Sequence, residues 1–90
     1  MKPTIPEVVP LFAAYYQLPE NGVWGSLHCV LDDKNVRNCD VADAKAWAID
    51  RGDAEGEKLA EILAQMSRTQ RLKLPDAVNT YLKDQNGDRQ

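Results

Sequence analysis

Cysteine and histidine are scarce in this chain, and the scarcity removes most site chemistry at once. Two cysteines, Cys29 and Cys39, are too few for a disulfide scaffold. Neither a Cys-x-x-Cys nor a His-x-x-x-His pair exists to make half of a metal site, and the only histidine is His28. A structural zinc site needs four convergent nitrogen or sulfur ligands, so no metal and no other cofactor is expected. Any His-dependent mechanism must use His28. Excess positive charge is also absent: 11 Lys and Arg against 14 Asp and Glu leave a net charge of −3. That excludes sequence-independent nucleic-acid binding, which needs clustered cations, and is too mild for a DNA mimic. No apolar run approaches a membrane span. The start, Met1-Lys2-Pro3-Thr4-Ile5-Pro6, has no continuous apolar core, so no secretory signal is expected. No Gly-Lys-Ser/Thr follows the glycines, so there is no Walker motif. Nor is there an internal repeat or a low-complexity segment.

What remains is a chain of 90 residues, one domain by length. A domain of that size buries a thin core, so homo-oligomerisation is expected to supplement it. Helical spacing recurs along the chain. Thr4 precedes a first helix with Pro6 near its start and Val8, Phe12 and Tyr15 on one face. Pro10 either lies in the first turn or kinks that helix. Leu18-Pro19-Glu20-Asn21-Gly22 ends it. Ser26 is placed to cap a second helix over Leu27–Asp33; the rival for this short run is a strand. Asn38 or Asp40 caps a third helix, with Val41, Ala44 and Ala48 on its core face and Trp47 and Ile49 widening it. Arg51-Gly52-Asp53 reads as a helix stop and a new cap. Leu59, Ile62, Leu63 and Met66 mark the fourth helix. Leu74-Pro75-Asp76 starts a last short one. The expected fold is all-α, four to five short helices in one domain over residues 1–84, with a polar tail over residues 85–90.

The densest chemistry lies between Asn21 and Asn35. This stretch holds two of the five glycines, one of the two tryptophans, the histidine and one cysteine. Adjacent His28 and Cys29 diverge on either a helix or a strand, and sequence neighbours do not make a Cys-His pair. No catalytic residue is assigned, and both cysteines are expected to behave as small buried hydrophobes. Binding is the better expectation. Gly22, Gly25 and Ser26 would aim backbone N–H groups and a hydroxyl at an anion. Tyr15, Tyr16 and Trp24 would supply aromatic surface, and Arg68 and Arg71 bidentate phosphate contacts. His28, Asp32 and Asp33 complete the polar set. Trp and Tyr also dominate protein interfaces. With Trp24, Trp47, Phe12, Tyr15, Tyr16 and Tyr81 competing for a thin core, an exposed aromatic patch or an oligomer seam is expected.

The pattern Tyr15-Tyr16…Pro19-x-Asn21-Gly22-x-x-Gly25-Ser26-Leu27-His28-x-Val30-Leu31-Asp32-Asp33-x-Asn35 continues with Arg51-Gly52-Asp53…Leu59-Ala60…Met66-Ser67-x-Thr69-Gln70-Arg71. It resembles a group of small uncharacterised proteins of phages and prophage-like regions, over roughly positions 7 to 72. Trp24 stands where that pattern has a small residue, and Cys29 where it has an aliphatic one. The resemblance implies an accessory role in the bacterial cytoplasm: a non-enzymatic protein that binds a host protein, such as an inhibitor of host defence. The alternatives are a protein that holds a small nucleotide-like ligand and, third, a small hydrolase using His28.

Overall fold

The structure, a computed structural model, describes residues 3–21 and 24–87. Five α-helices follow one another: α1 Ile5–Gln17, α2 His28–Leu31, α3 Asn38–Arg51, α4 Ala54–Gln65 and α5 Arg68–Gly87. Two single 3₁₀ turns, Pro19–Asn21 and Gly25–Leu27, bridge α1 to α2. No strand occurs among the described residues, so the all-α expectation holds.

Local chemistry sets most boundaries. At the start of α1 the Glu7 carboxylate accepts hydrogen bonds from the Thr4 N–H and hydroxyl, both at 2.9 Å. The Thr4 N–H contact first, then its hydroxyl, holds the Glu7 carboxyl below its usual range. Pro10 does not end the helix; it lies on the exposed side, where water reaches the carbonyl left without a helical donor. In front of α3, Asp40 reaches back to the Arg37 N–H (3.1 Å) and its Nε (2.9 Å). Gly52 turns the chain at φ 73°, and Asp53 caps α4 by accepting the Gly56 N–H at 3.0 Å. The stop-and-cap expectation at Arg51-Gly52-Asp53 is met, and α3 and α4 form a hairpin.

Four expectations need correction. The second helix is one turn, His28–Leu31, and Ser26 gives it no side-chain cap. The last helix does not start at Leu74. Ser67 and Gln70 exchange backbone-to-side-chain bonds (2.9 and 3.2 Å) and start α5 at Arg68. It then runs through Pro75 and on to Gly87, into the expected tail. An interior proline costs about 3 kcal/mol, whereas Leu74 and Val78, both fully buried on either side of it, recover roughly 1.5–3 kcal/mol each. Packing therefore carries the helix past the break. Trp47 and Ile49 are about half exposed, so the α3 core face is only the stripe Val41, Ala44 and Ala48. Cys29 and Cys39 are exposed thiols, because each sits on the solvent side of a short or starting helix.

The core forms where α1 lies along α5, the α3–α4 hairpin closes beside α1, and the Gly25–Leu31 segment wedges against α3. Phe12, Leu27, Val30, Leu31, Leu63, Leu74 and Val78 are fully buried there.

Candidate functional site

Ser26 is buried completely and stands at the centre of a polar hub. Its N–H donates to the Tyr15 hydroxyl oxygen at 3.0 Å. Its hydroxyl donates to Asp53 Oδ2 at 2.9 Å and accepts from Arg51 Nη1 at 2.8 Å. The Tyr15 hydroxyl donates to the same Asp53 oxygen at 2.6 Å. Asp53 Oδ1 takes the Gly56 N–H, as above. Each proton has one place to go, and the carboxylate accepts throughout. Burial pushes the Asp53 carboxyl upward, but the bonds from Tyr15, Gly56 and Ser26 and the charge of Arg51 outweigh it and hold the group below its usual value. Burial first, then the bond to Asp53, pushes the Tyr15 phenol up to about 12.

Gly25 makes the hub possible. Its φ is +50°, and a Cβ there would run into Asn21 Oδ1 and the Tyr15 hydroxyl. Asn21 is buried as well; its Nδ2 reaches the Tyr15 carbonyl at 3.4 Å, and its Oδ1 has no hydrogen-bond partner among the described residues. Trp24 precedes Gly25 at φ 63°, a left-handed conformation unusual for a bulky side chain. The strain, of order 1–3 kcal/mol, is offset by burial of the indole against Tyr16, whose ring centroid lies 4.6 Å away.

These positions reassign several sequence candidates. Trp24 belongs to the core, not to an open aromatic platform, and Tyr16 is half-buried against it. Arg71 is only 2% exposed. Its guanidinium donates to the carbonyls of Leu63 (2.7 Å), Val36 (2.6 Å) and Ala64 (3.3 Å). Leu63 and Ala64 lie in the last turn of α4, where carbonyls lack helical partners and a cation is favoured. The anion that Arg71 meets is thus a helix end, not a phosphate. Burial first, then the neighbouring charge of Arg68, lowers its pKa. Arg68 itself is exposed; the Asp40 carboxyl is held low first by the Arg37 side chain, and Arg68 adds only its more distant charge. Gly22 lies outside the described residues.

His28, Asp32 and Asp33 do come together. The ring places Nδ1 3.4 Å from Asp32 and Nε2 3.6 Å from Asp33. One ligand atom from each lies within 4.8 Å of the others. All three side chains are substantially exposed, so the set is a charged knob at the end of α2 with three donors, one short of a structural zinc set.

Sequence reasoning found Ser26 but missed its partners Tyr15, Arg51 and Asp53. The available signal was Asp53: a helix cap uses one carboxylate oxygen and leaves the other for a second task. Arg51 also reaches the face of Trp47, with 5.9 Å from its guanidinium carbon to the ring centroid. In chemical terms the hub is saturated. The Ser26 hydroxyl is closed to any substrate and both its hydrogen-bonding directions are in use.

Elsewhere, α1 borders two open grooves. One, of about 450 Å³, runs between α1 and α4 and is lined by Leu11, Ala14, Leu18, Leu59 and Ile62, with Glu55 and Lys58. The other, of about 680 Å³, runs between α1 and α5. No family model, curated protein or solved structure matched the chain. No helix among the described residues is long and apolar enough to cross a membrane.

Proposed function

We propose that this chain is a non-enzymatic phage or prophage accessory protein that binds a protein of its bacterial host in the cytoplasm, for instance to inhibit host defence. The observation that supports this reading is the outer surface of α1. Glu7 is the single charged residue in Ile5–Gln17, and Pro6, Pro10, Leu11 and Ala14 are exposed on it, with Leu18 just beyond. A helix that is apolar on every side belongs against something on every side. The core covers one side only. Desolvating the other against a partner would release that apolar area from water at about 25 cal/mol per Å².

The test is capture from a bacterial host lysate by the native chain and by a Leu11→Glu, Leu18→Glu variant. A protein enriched by the native chain and lost with the variant is expected. Identical capture by both, or no enrichment at all, would remove the reading.

A further inference from the structure

The groove between α1 and α5 differs from its neighbour in charge. Its apolar lining comes from Ile5, Val9, Ala77 and Tyr81, with Pro6 and Pro10 on the α1 side. Among the described residues, the charged ones lining it are Asp76 and Asp84, with no cation beside them. Eight positions apart on one helix, these carboxylates are separated by about 12 Å along the axis. The walls are stiff: two prolines have fixed φ and no backbone N–H to satisfy. One end is fastened by Gln70, whose Nε2 reaches the Pro3 carbonyl at 3.4 Å.

We infer that this groove seats a basic amphipathic helix of the partner protein. The inference rests on the protein-binding reading above and gives that partner a chemistry. Apolar side chains at i, i+3, i+4 and i+7 of the incoming helix would fill the floor, as helix-in-groove recognition requires. Lysines or arginines seven or eight positions apart on its flank would meet Asp76 and Asp84, since that spacing matches their separation. A second copy of this chain is the poorer occupant. A two-fold contact places the same patch against itself. It would set Asp76 and Asp84 of one copy near those of the other, in a chain whose net charge is already −3. Nucleic acid is disfavoured by the same carboxylates.

The probe is a synthetic helical peptide with leucines at i, i+3, i+4 and i+7 and flanking lysines eight apart, labelled for fluorescence anisotropy. Its counterpart carries glutamates in place of the lysines. The lysine peptide is expected to bind with an affinity that falls as salt rises, and the glutamate peptide to bind weakly or not at all. Asp76→Asn with Asp84→Asn is expected to weaken the lysine peptide roughly twofold to thirtyfold, the range for two exposed pairs. Thr80→Lys, which places a cation between the two carboxylates, should weaken it at least as much. Asp43→Asn with Asp50→Asn on α3 should change nothing. Amide shifts on binding should map to Val9, Ala77, Thr80 and Tyr81. All five substituted positions in these three variants are exposed, and circular dichroism of each variant checks that it folds.

Equal binding of both peptides, no binding of either, or shifts centred on Leu11 and Ile62 would overturn the inference. So would a free chain that sediments as a dimer and becomes monomeric with Thr80→Lys, because the groove would then be occupied by a second copy. If lysate capture depends on Leu11 and Leu18 but the lysine peptide fails, only this inference falls. If capture is also indifferent to Leu11 and Leu18, the protein-binding reading falls with it.

Discussion

The two sides of α1 face opposite problems. On the inner side a tyrosine hydroxyl is drawn into a hub of serine, aspartate and arginine, where both hydroxyls and both carboxylate oxygens have partners. On the outer side Leu11 is 51% exposed and two prolines stand in water. The hub's hydroxyls and carboxylate are inside and satisfied, whereas apolar groups of α1 are outside and uncovered. Internal polar groups are costly unless hydrogen-bonded, so their presence reports on how the fold is specified. Exposed apolar groups are individually ordinary; gathered on one helix face beside two grooves, they mark where a partner would gain most. Ser26 and Arg71, which look chemical in the sequence, hold the fold together, whereas Leu11 and Leu18, which look structural, stand exposed.

The inner half of that comparison is broken most severely at Arg71. Arg71→Met would take the guanidinium from the carbonyls of Ala64 and Val36 and leave that of Leu63 with the Met66 N–H alone. A loss of about 3 kcal/mol or more is expected, since each buried acceptor left unpaired costs roughly 1–3 kcal/mol. Urea unfolding should show it as a fall in midpoint at unchanged slope. Arg71→Lys should recover little, since an ammonium cannot span three carbonyls on two segments. A change within about 0.5 kcal/mol, as for an ordinary surface residue, would mean that the guanidinium is free for a ligand after all.

Next in size is the hub. Asp53→Asn is expected to cost about 2–3 kcal/mol, because three donors lose a charged acceptor. Combined with Tyr15→Phe the two losses should not add, since both remove the same 2.6 Å bond. The pH dependence has two signs. Asp53 has a folded pKa below its ordinary value, so its stabilisation is present above about pH 4 and disappears as the pH falls through the folded value. Tyr15 is raised from 10.0 to about 12; its contribution is complete below pH 10 and is lost as the pH rises from 10 towards 12. Thermal unfolding across both windows should show both slopes. Asp53→Asn removes the acid slope that this residue contributes, and Tyr15→Phe the alkaline one. A Tyr15→Phe variant with an unaltered alkaline limb would place the phenol outside the hub.

What was legible in the sequence was local. The Leu59-Leu63-Met66 and Val41-Ala44-Ala48 stripes follow helical spacing, and Gly52-Asp53 announces a stop and a cap within two residues. What was hidden was set by distant partners. Pro75 obeys a local rule for ending a helix, and only the burial of Leu74 and Val78 overrides it. Trp24 and Trp47 have the same composition signal; one is buried and the other half exposed because of what packs on each. Ser26 was visible as a residue of interest, but its role depends on Tyr15 eleven positions before it and Asp53 twenty-seven after. No periodicity encodes such a pairing. Arg71 next to Arg68 suggests a phosphate clamp until the end of α4 is seen to occupy one of them.

The outer half of the comparison predicts the smallest change in stability and the sharpest separation of roles. Leu11→Glu removes an apolar group that water already reaches and adds a charge at an exposed position. Its effect on unfolding should stay within about 0.5 kcal/mol, as for surface substitutions away from caps and cores. A buried leucine truncated in the same way, such as Leu63→Ala, should lose about 2–5 kcal/mol. The contrast matters because the same Leu11→Glu change is expected to abolish partner capture. A variant that unfolds easily says nothing about binding; one that keeps its midpoint and loses its partner says where the partner sits. If Leu11→Glu were instead to cost as much as Leu63→Ala, the outer face of α1 would be core in solution, covered by another copy of the chain. The asymmetry between the two sides of α1 would then belong to the single chain and not to the assembled protein.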